Sequence, residues 1–169
     1  YLLMFYKIIL ILTFLCFSTS EASQPSKAIV VTANNYASEA AAKIIKRGGT
    51  AADAAVTAQL ILTMTTPQST GIGGGGFILY WDNFQKKLYA IDGREVAPKS
   101  ANPNLFINNN KEKIKFYPDA VISGKSVGVP GLLKLMEVTH ERFGKLNWED
   151  LFIEPCLLYT SPSPRDIGE

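Results

Sequence analysis

The 169-residue sequence predicts a mixed α/β (α+β) domain. Three observations support this prediction: two neighbouring segments with apolar residues at helical spacing, two strand-like runs separated by a turn, and a globular composition. Hydrophobic residues make up 47% of the sequence and charged residues 19%. That balance is typical of a chain with a core, not of a disordered one. The length suits one domain of ordinary size.

Residues 1–22 have the pattern of a secretory signal peptide. Lys7 precedes an apolar run over residues 8–17, and Ser20-Glu-Ala22 is an acceptable cleavage site. The apolar run is shorter than the roughly 20 residues that span a bilayer, so cleavage is favoured and a membrane anchor is the alternative. The predicted localisation is secreted, or at the extracellular face of the plasma membrane.

The next elements are a strand and two helices. Residues 27–32 are β-branched and predict a strand. Residues 38–47 have helical spacing and are stopped by two glycines, and Asn34 and Asn35 are both possible caps. Thr50 is a good N-cap for a second helix over residues 51–65, with Asp53 placed for a capping box. The many alanines of this second helix permit close packing, so it is expected to be buried.

A glycine-rich run follows, Pro67-Gln-Ser-Thr-Gly-Ile-Gly-Gly-Gly-Gly-Phe77. A phosphate-binding loop would run in the order strand, glycines, helix, so that a helix N-terminus faces the anion. Here the order is helix, glycines, strand, and no Gly-Lys-Ser/Thr follows. The pattern therefore favours a tight structural loop beside a buried pocket over a nucleotide site.

The remaining elements are a hairpin, a loop and two helices. Residues 77–81 and 87–91 predict the hairpin, and residues 102–118 predict an exposed loop. A helix is expected over residues 132–143, with an inner face made of Leu132, Leu135, Met136 and Thr139. The helix that begins at Trp148 is expected to break after about two turns. Residues 156–169 have no helical period and no evident role in a fold.

Charge and metal-binding residues exclude several classes of function. The net charge is +2, and the basic residues are scattered, so no nucleic-acid partner is expected. The two cysteines, Cys16 and Cys156, offer neither a disulfide framework nor a thiolate metal site. The single histidine, His140, cannot form a zinc site by itself and is expected to be an exposed helix residue. No metal site is therefore predicted.

Arg94 is the best candidate for a functional side chain. It follows a glycine at the end of a predicted strand, where side chains face a pocket, and its planar fork can bind a carboxylate through two parallel hydrogen bonds. The alternative is an ordinary arginine paired with Asp92 or Glu95. Those two carboxylates could be an acid–base pair, but they lie in an irregular turn and a structural role is favoured.

A nucleophile could also lie beside the glycines. Ser69 and Thr70 carry hydroxyl groups, but no histidine or lysine near them in the sequence suggests a general base.

Four motifs together resemble the gamma-glutamyltransferase (gamma-glutamyltranspeptidase) family, in order and in spacing. The resemblance covers about residues 28–155. The motifs are Arg47-Gly-Gly-Thr-Ala-Ala-Asp-Ala-Ala55, residues 67–77, Asp92-Gly-Arg-Glu95 with Ala97-Pro98, and Val127-Gly-Val-Pro-Gly131.

The resemblance implies an N-terminal nucleophile hydrolase fold, a four-layer α/β/β/α sandwich that is incomplete in this chain. Residues 23–155 would be the N-terminal part of the large subunit. The family's precursor cuts itself before a threonine, which then transfers the gamma-glutamyl group of glutathione to water or to an acceptor amino acid or peptide. The implied partners are glutathione or another gamma-glutamyl compound and the small subunit from the same precursor. No cofactor is implied. By the same resemblance, Arg94 binds the donor's α-carboxylate.

Two departures from the family qualify this assignment. The nucleophilic threonine would lie beyond residue 169, so no threonine here is assigned the catalytic role and the chain alone is expected to be inactive. The family continues as a helix after Pro155, so residues 156–169 are expected to be a non-native tail. A truncated, non-catalytic secreted protein and a related amidase or acylase are the alternatives.

Overall fold

The computed structural model describes residues 28–160. The elements, in chain order, are α1 (Asn35–Lys46), α2 (Ala51–Thr65), β1 (Gly76–Asp82), β2 (Lys87–Gly93), α3 (Leu132–Phe143) and α4 (Ile153–Thr160). Short helical turns lie at Phe116–Ala120, Gly124–Ser126 and Trp148–Phe152. The predicted signal peptide at residues 1–22 and residues 161–169 of the predicted tail lie outside the described residues. Within residues 28–160, no helix has both the length and the apolar character that crossing a bilayer requires.

The two N-terminal helices begin at the caps that their sequences predict. Asn34 Oδ1 accepts a hydrogen bond from the Tyr36 amide at 2.9 Å, so Asn34 is the cap of α1. Thr50 and Asp53 form the predicted capping box, in which each side chain accepts a hydrogen bond from the other's backbone amide. Between the helices Gly48 has a φ of +87°, a conformation that glycine adopts without steric cost.

Helices α1 and α2 pack closely because most of their facing residues are small. The buried set in α1 is Ala37, Ala40, Ala41 and Ile44, and in α2 it includes Ala52, Ala54, Val56, Ala58 and Ile61. Small side chains let two helix axes approach, and the larger Ile44 and Ile61 then fill the remaining space. The prediction that α2 is buried is confirmed.

The hairpin packs one face against α3. Its strands pair antiparallel from Gly76 opposite Gly93 to Asp82 opposite Lys87, so each strand is slightly longer than predicted. On the inner face Tyr80 stacks on Phe143 of α3, with ring centroids 4.0 Å apart. The predicted inner face of α3 is confirmed, since its buried residues are Leu132, Leu135, Met136 and Thr139.

The outer face of the hairpin is apolar and exposed. Because side chains alternate between the two faces of a strand, the residues between the inner ones point away from α3. This outer face consists of Phe77, Leu79, Trp81 and Leu88, which are 53–72% exposed. A sheet face of this composition is one that a further layer of structure would cover.

The predicted strand over residues 27–32 is wrong for the part that the structure describes. Residues 28–32 belong to no strand, and residue 27 lies outside the described range. Ile29 and Val31 are 84% and 85% exposed. β-Branched composition favours an extended chain, but a strand also needs a neighbouring strand to complete its hydrogen bonds.

The C-terminal segment continues as a helix where a break was predicted. The turn Trp148–Phe152 leads directly into α4, which extends through Cys156 to Thr160. Pro155 is compatible with this helix because it is the third residue of α4, where backbone amides have no intrahelical acceptor. Leu158 packs against the core. The interpretation of residues 156–169 as a non-native tail stays a prediction.

His140 is not the exposed helix residue that the sequence suggested. Its side chain is 18% exposed, and its Nε2 donates a hydrogen bond to the Leu146 carbonyl oxygen at 2.8 Å. The same nitrogen lies 3.7 Å from Oδ1 of the fully buried Asp53. The chain after α3 folds back over the start of α2, and this return of the chain buries the imidazole.

Candidate functional site

Three segments that are distant in sequence meet at the end of the hairpin. They are the glycine loop before β1, the residues that follow β2, and the residues that precede α3. The Gly74 carbonyl oxygen accepts hydrogen bonds from the amides of Gly131 and Leu132 at 3.0 and 3.1 Å. Val96 and Val129 pair as an isolated antiparallel bridge. The carbonyl of Gly74 thereby satisfies two of the amides that the first turn of a helix leaves free.

Glycine is required at this junction because backbones approach each other. A Cβ atom added to Gly75 would lie 2.5 Å from the Gly93 carbonyl oxygen, and one added to Gly131 would overlap the same atom. Real Cβ atoms do not come this close to backbone oxygens, so a side chain at either position would force the segments apart. The structure confirms that the glycine run is a tight structural loop. It joins β1 to the start of α3.

Arg94 lies at this junction, directly after β2. An added Cβ at Gly75 would be 2.9 Å from the Arg94 Cα, which shows how closely the two backbones pack there. The Arg94 amide donates to Asp92 Oδ1 at 2.9 Å. The backbone of Arg94 is thus fixed by its neighbours, while its side chain is 66% exposed.

Glu95 is the partner of the Arg94 guanidinium. Its Oε2 lies 3.3 Å from Arg94 Nε, and the Glu95 side chain is 32% exposed. Arg94 has no other ion pair among residues 28–160, so its two terminal nitrogens stay available. Asp92 Oδ1 accepts the Arg94 amide and Glu95 Oε2 contacts the Arg94 guanidinium, so each carboxylate has a structural contact of the kind that the sequence favoured.

An open cavity of about 550 Å³ lies beside Arg94. Its size is in the range of small-molecule sites. The lining residues are Gly73, residues 94–98, Ala101, Leu105, Phe106 and residues 125–128. Arg94 lines this cavity, but its side chain is 66% exposed and so also faces bulk water, and the cavity is open where a buried pocket was predicted beside the glycine loop.

The second cationic lining residue, Lys125, was not recognised from the sequence. It lies just before the motif at residues 127–131, and Gly73 lies in the glycine-rich run, but nothing local indicates that these motifs meet at Arg94. Only the occurrence of all these motifs in one family could have indicated that they meet, because residues that serve one site must lie close together in the fold.

The candidate nucleophiles beside the glycines have structural contacts. Thr70 Oγ1 donates to the Leu62 carbonyl oxygen at 2.7 Å and lies 3.0 Å from Thr66 Oγ1. Ser69 donates its backbone amide to the Thr66 carbonyl oxygen. These contacts close the turn after α2, and within residues 28–160 no hydrogen bond joins either hydroxyl to a side chain that could act as a general base. Residues 28–160 also contain no group of three or more His, Cys, Asp or Glu residues that could hold a metal ion.

Comparison with known proteins identifies the family. The family model described as Gamma-glutamyltranspeptidase matches residues 37–160. The chain belongs to the gamma-glutamyltranspeptidase family. The glutathione hydrolase proenzyme of Bacillus subtilis (strain 168) is 40% identical over 138 residues, which is 82% of this chain and 23% of that protein. The chain therefore spans about a quarter of the length of this gamma-glutamyltranspeptidase relative.

Solved structures give the same result for the fold. The gamma-glutamyltranspeptidase of Pseudomonas nitroreducens complexed with L-DON superposes with a TM-score of 0.70 at 36% identity, over 78% of this chain and 38% of that chain. A cephalosporin acylase from Bacillus halodurans superposes with a TM-score of 0.58 at 26% identity, over 88% of this chain and 29% of that chain. The fold is thus an incomplete part of the N-terminal nucleophile hydrolase type, and its described residues form four α-helices and one two-stranded hairpin.

Proposed function

We propose that the protein to which this chain belongs is a gamma-glutamyltransferase and glutathione hydrolase. It would transfer the gamma-glutamyl group of glutathione to water, an amino acid or a peptide. The attacking group would be an N-terminal threonine outside the 169 residues, whose own amine accepts the hydroxyl proton. Family membership supports this proposal, and so does the name of the Bacillus subtilis relative.

The observation on which the proposal rests is the position of Arg94. Its terminal nitrogens are available beside a cavity large enough for a tripeptide, while its Nε contacts Glu95. A guanidinium with two free nitrogens binds a carboxylate through two parallel charge-assisted hydrogen bonds. Binding the donor's α-carboxylate there would fix the glutamyl group and so hold its side-chain amide in one place relative to the nucleophile.

The test is to replace Arg94 by Met in the full-length protein. Loss of a bidentate bond to a charged group removes about 3 kcal/mol of binding, or roughly a 100-fold fall in kcat/KM for glutathione, mainly through KM. Arg94→Lys should recover only part of the loss because an ammonium cannot form the fork. Arg142→Met, an exposed arginine outside the cavity, is the matched control. An unchanged KM in Arg94→Met would contradict the assignment.

A related acylase is the second candidate, because the fold also resembles the cephalosporin acylase. The two functions differ in the acyl donor. A gamma-glutamyl donor has a free α-carboxylate for Arg94, whereas an acyl group without a carboxylate there has nothing for the guanidinium to bind. Comparing glutathione with an analogue in which a 4-aminobutanoyl group replaces the gamma-glutamyl group, and which therefore lacks only the α-carboxylate, would separate the candidates, since only the acylase should prefer the second compound.

We also propose that the protein is a secreted precursor that cleaves itself into two subunits. The relative's description as a proenzyme and the pattern of residues 1–22 support this proposal. The small subunit from the same precursor would complete the enzyme. N-terminal sequencing of the mature protein tests both steps: one sequence should begin at Ser23 and a second at a threonine. A single uncleaved chain would contradict the precursor proposal, and one retaining residues 1–22 would favour a membrane anchor.

A further inference from the structure

Lys125 is a second cation on the cavity that contains Arg94. It lies in the short turn Gly124–Ser126, on the segment that leads to the Val96–Val129 bridge. Within residues 28–160, no hydrogen bond or ion pair involves its side chain. Other lysines of the described chain do have such partners: Lys43 pairs with Glu154, and Lys134 pairs with Glu137.

The charges that line the cavity are unequal. Arg94 and Lys125 are positive, and Glu95 is the one acidic residue among the lining residues that the structure describes. Because Glu95 already contacts Arg94 Nε, its charge is offset locally, and the Lys125 side of the cavity keeps an excess positive charge. Such a site favours a ligand with two separated anionic groups.

We propose that Lys125 binds a second carboxylate, on the amine side of the scissile gamma-glutamyl bond. This rests on the proposed function, in which Arg94 binds the α-carboxylate at the glutamyl end. Glutathione has both groups, since its leaving dipeptide ends in a carboxylate. Lys125 is then a residue that determines specificity, and it favours donors whose leaving group is anionic over donors whose leaving group is neutral.

The size of the effect follows from the exposure of Lys125. Its side chain is at the surface, and a flexible ammonium in contact with water contributes only modestly to binding. We therefore expect a three- to fivefold preference, much less than the effect of Arg94, and roughly what exposed ion pairs provide. The preference should shrink as salt is added, because exposed charges are screened over about 8–10 Å at physiological ionic strength.

The experiment compares two donors on the full-length mature enzyme. One is glutathione, and the other is glutathione whose terminal glycine carboxylate is a carboxamide. In the Lys125→Met variant, kcat/KM for glutathione should fall about three- to fivefold at low ionic strength, while kcat/KM for the amide stays unchanged. Lys125→Arg should keep the preference for glutathione. Lys99→Met removes a nearby positive charge that does not line the cavity, and should change neither value.

Several outcomes would overturn the proposal. An equal loss for both donors would mean that Lys125 supports the loop and does not bind the leaving group. No loss for either donor would mean that the second carboxylate stays in solvent. In both cases an active wild-type enzyme would leave the proposed function intact. A wild-type enzyme that hydrolyses neither donor would overturn the proposed function as well.

Discussion

Replacing Asp53 by Asn should lower the free energy of unfolding by about 2–3 kcal/mol. The Asp53 carboxylate is fully buried at the start of α2. Its oxygens accept hydrogen bonds from the Thr50 amide at 2.8 Å, from the Lys145 amide at 3.0 Å and from the Leu146 amide at 3.4 Å. One side chain therefore holds the N-terminus of α2 to the loop that follows α3, across more than 90 residues of sequence.

The size of the expected stability loss follows from the hydrogen bonds that an Asn side chain cannot make. An Asn side chain has one acceptor oxygen, and its NH₂ group must face either the Thr50 amide or the Lys145 amide, which are both donors. The remaining hydrogen bonds also lose their charge assistance, which about halves their strength. Asp53→Ala should cost more, about 4 kcal/mol, because the amides of Thr50, Lys145 and Leu146 then lose this acceptor and the capping box keeps only one of its two hydrogen bonds.

The assay is urea unfolding of the full-length protein, followed by tryptophan fluorescence. Trp148 is a local reporter, since its ring centroid lies 5.2 Å from that of His140, which itself contacts Asp53. The matched control is Asp82→Asn. Asp82 also accepts two backbone amides, from Phe84 and Gln85, but at the exposed hairpin turn, so its cost should stay below about 1 kcal/mol. Equal losses at the two positions would refute the reasoning.

Three further predictions concern packing, a buried hydroxyl and pH. Gly131→Ala should destabilise the protein by more than about 2 kcal/mol in thermal unfolding, because the added methyl group would overlap the backbone of β2. The control is Gly71→Ala. Its added methyl group would meet no atom within 4 Å, so the variant should be neutral or slightly stabilised. Thr57→Val should cost about 1–2 kcal/mol in the same assay, because Thr57 is fully buried and the carbonyl to which it donates at 3.0 Å would lose its partner. The hydrogen bond to Glu154 raises the pKa of Lys43 above its ordinary value of 10.5. The stabilisation that this pair provides should therefore be fully present below pH 10.5, and it should be lost as the pH rises through the raised pKa. A stability difference between wild type and Lys43→Met that instead disappears near pH 7 would contradict this origin.

The elements that the sequence predicted well are those with local signals. Helix α3 has the predicted bounds and the predicted buried face, because an apolar stripe at helical spacing needs no information from elsewhere in the chain. The capping box at Thr50 and Asp53 likewise depends on residues three apart. In both cases the local preference and the final packing agree, so the sequence pattern was sufficient.

The elements that were missed depend on distant partners. The burial of His140 requires the loop after α3 to return to Asp53, and nothing in the neighbourhood of His140 indicates this. The predicted strand over residues 27–32 has the right composition but lacks a neighbouring strand among the described residues. The candidate site also depends on residues that are distant in sequence. Arg94 was recognisable from its motif, but residues 125–128, about thirty positions later, complete its cavity.

The junction at Arg94 separates its structural role from its proposed role in binding. The glycines around Arg94 fix the backbone, through contacts that involve no atom of the guanidinium. The side chain is mostly exposed, and an exposed ion pair with Glu95 adds little to stability. Replacing the Arg94 side chain should therefore leave the unfolding temperature almost unchanged while it weakens donor binding strongly. Gly131→Ala should instead lower the unfolding temperature. It should reduce activity only by displacing the backbone that positions Arg94. A variant of Arg94 that unfolds as readily as Gly131→Ala would show that the guanidinium holds the junction together, and its effect on KM could then no longer be interpreted as lost contact with the substrate.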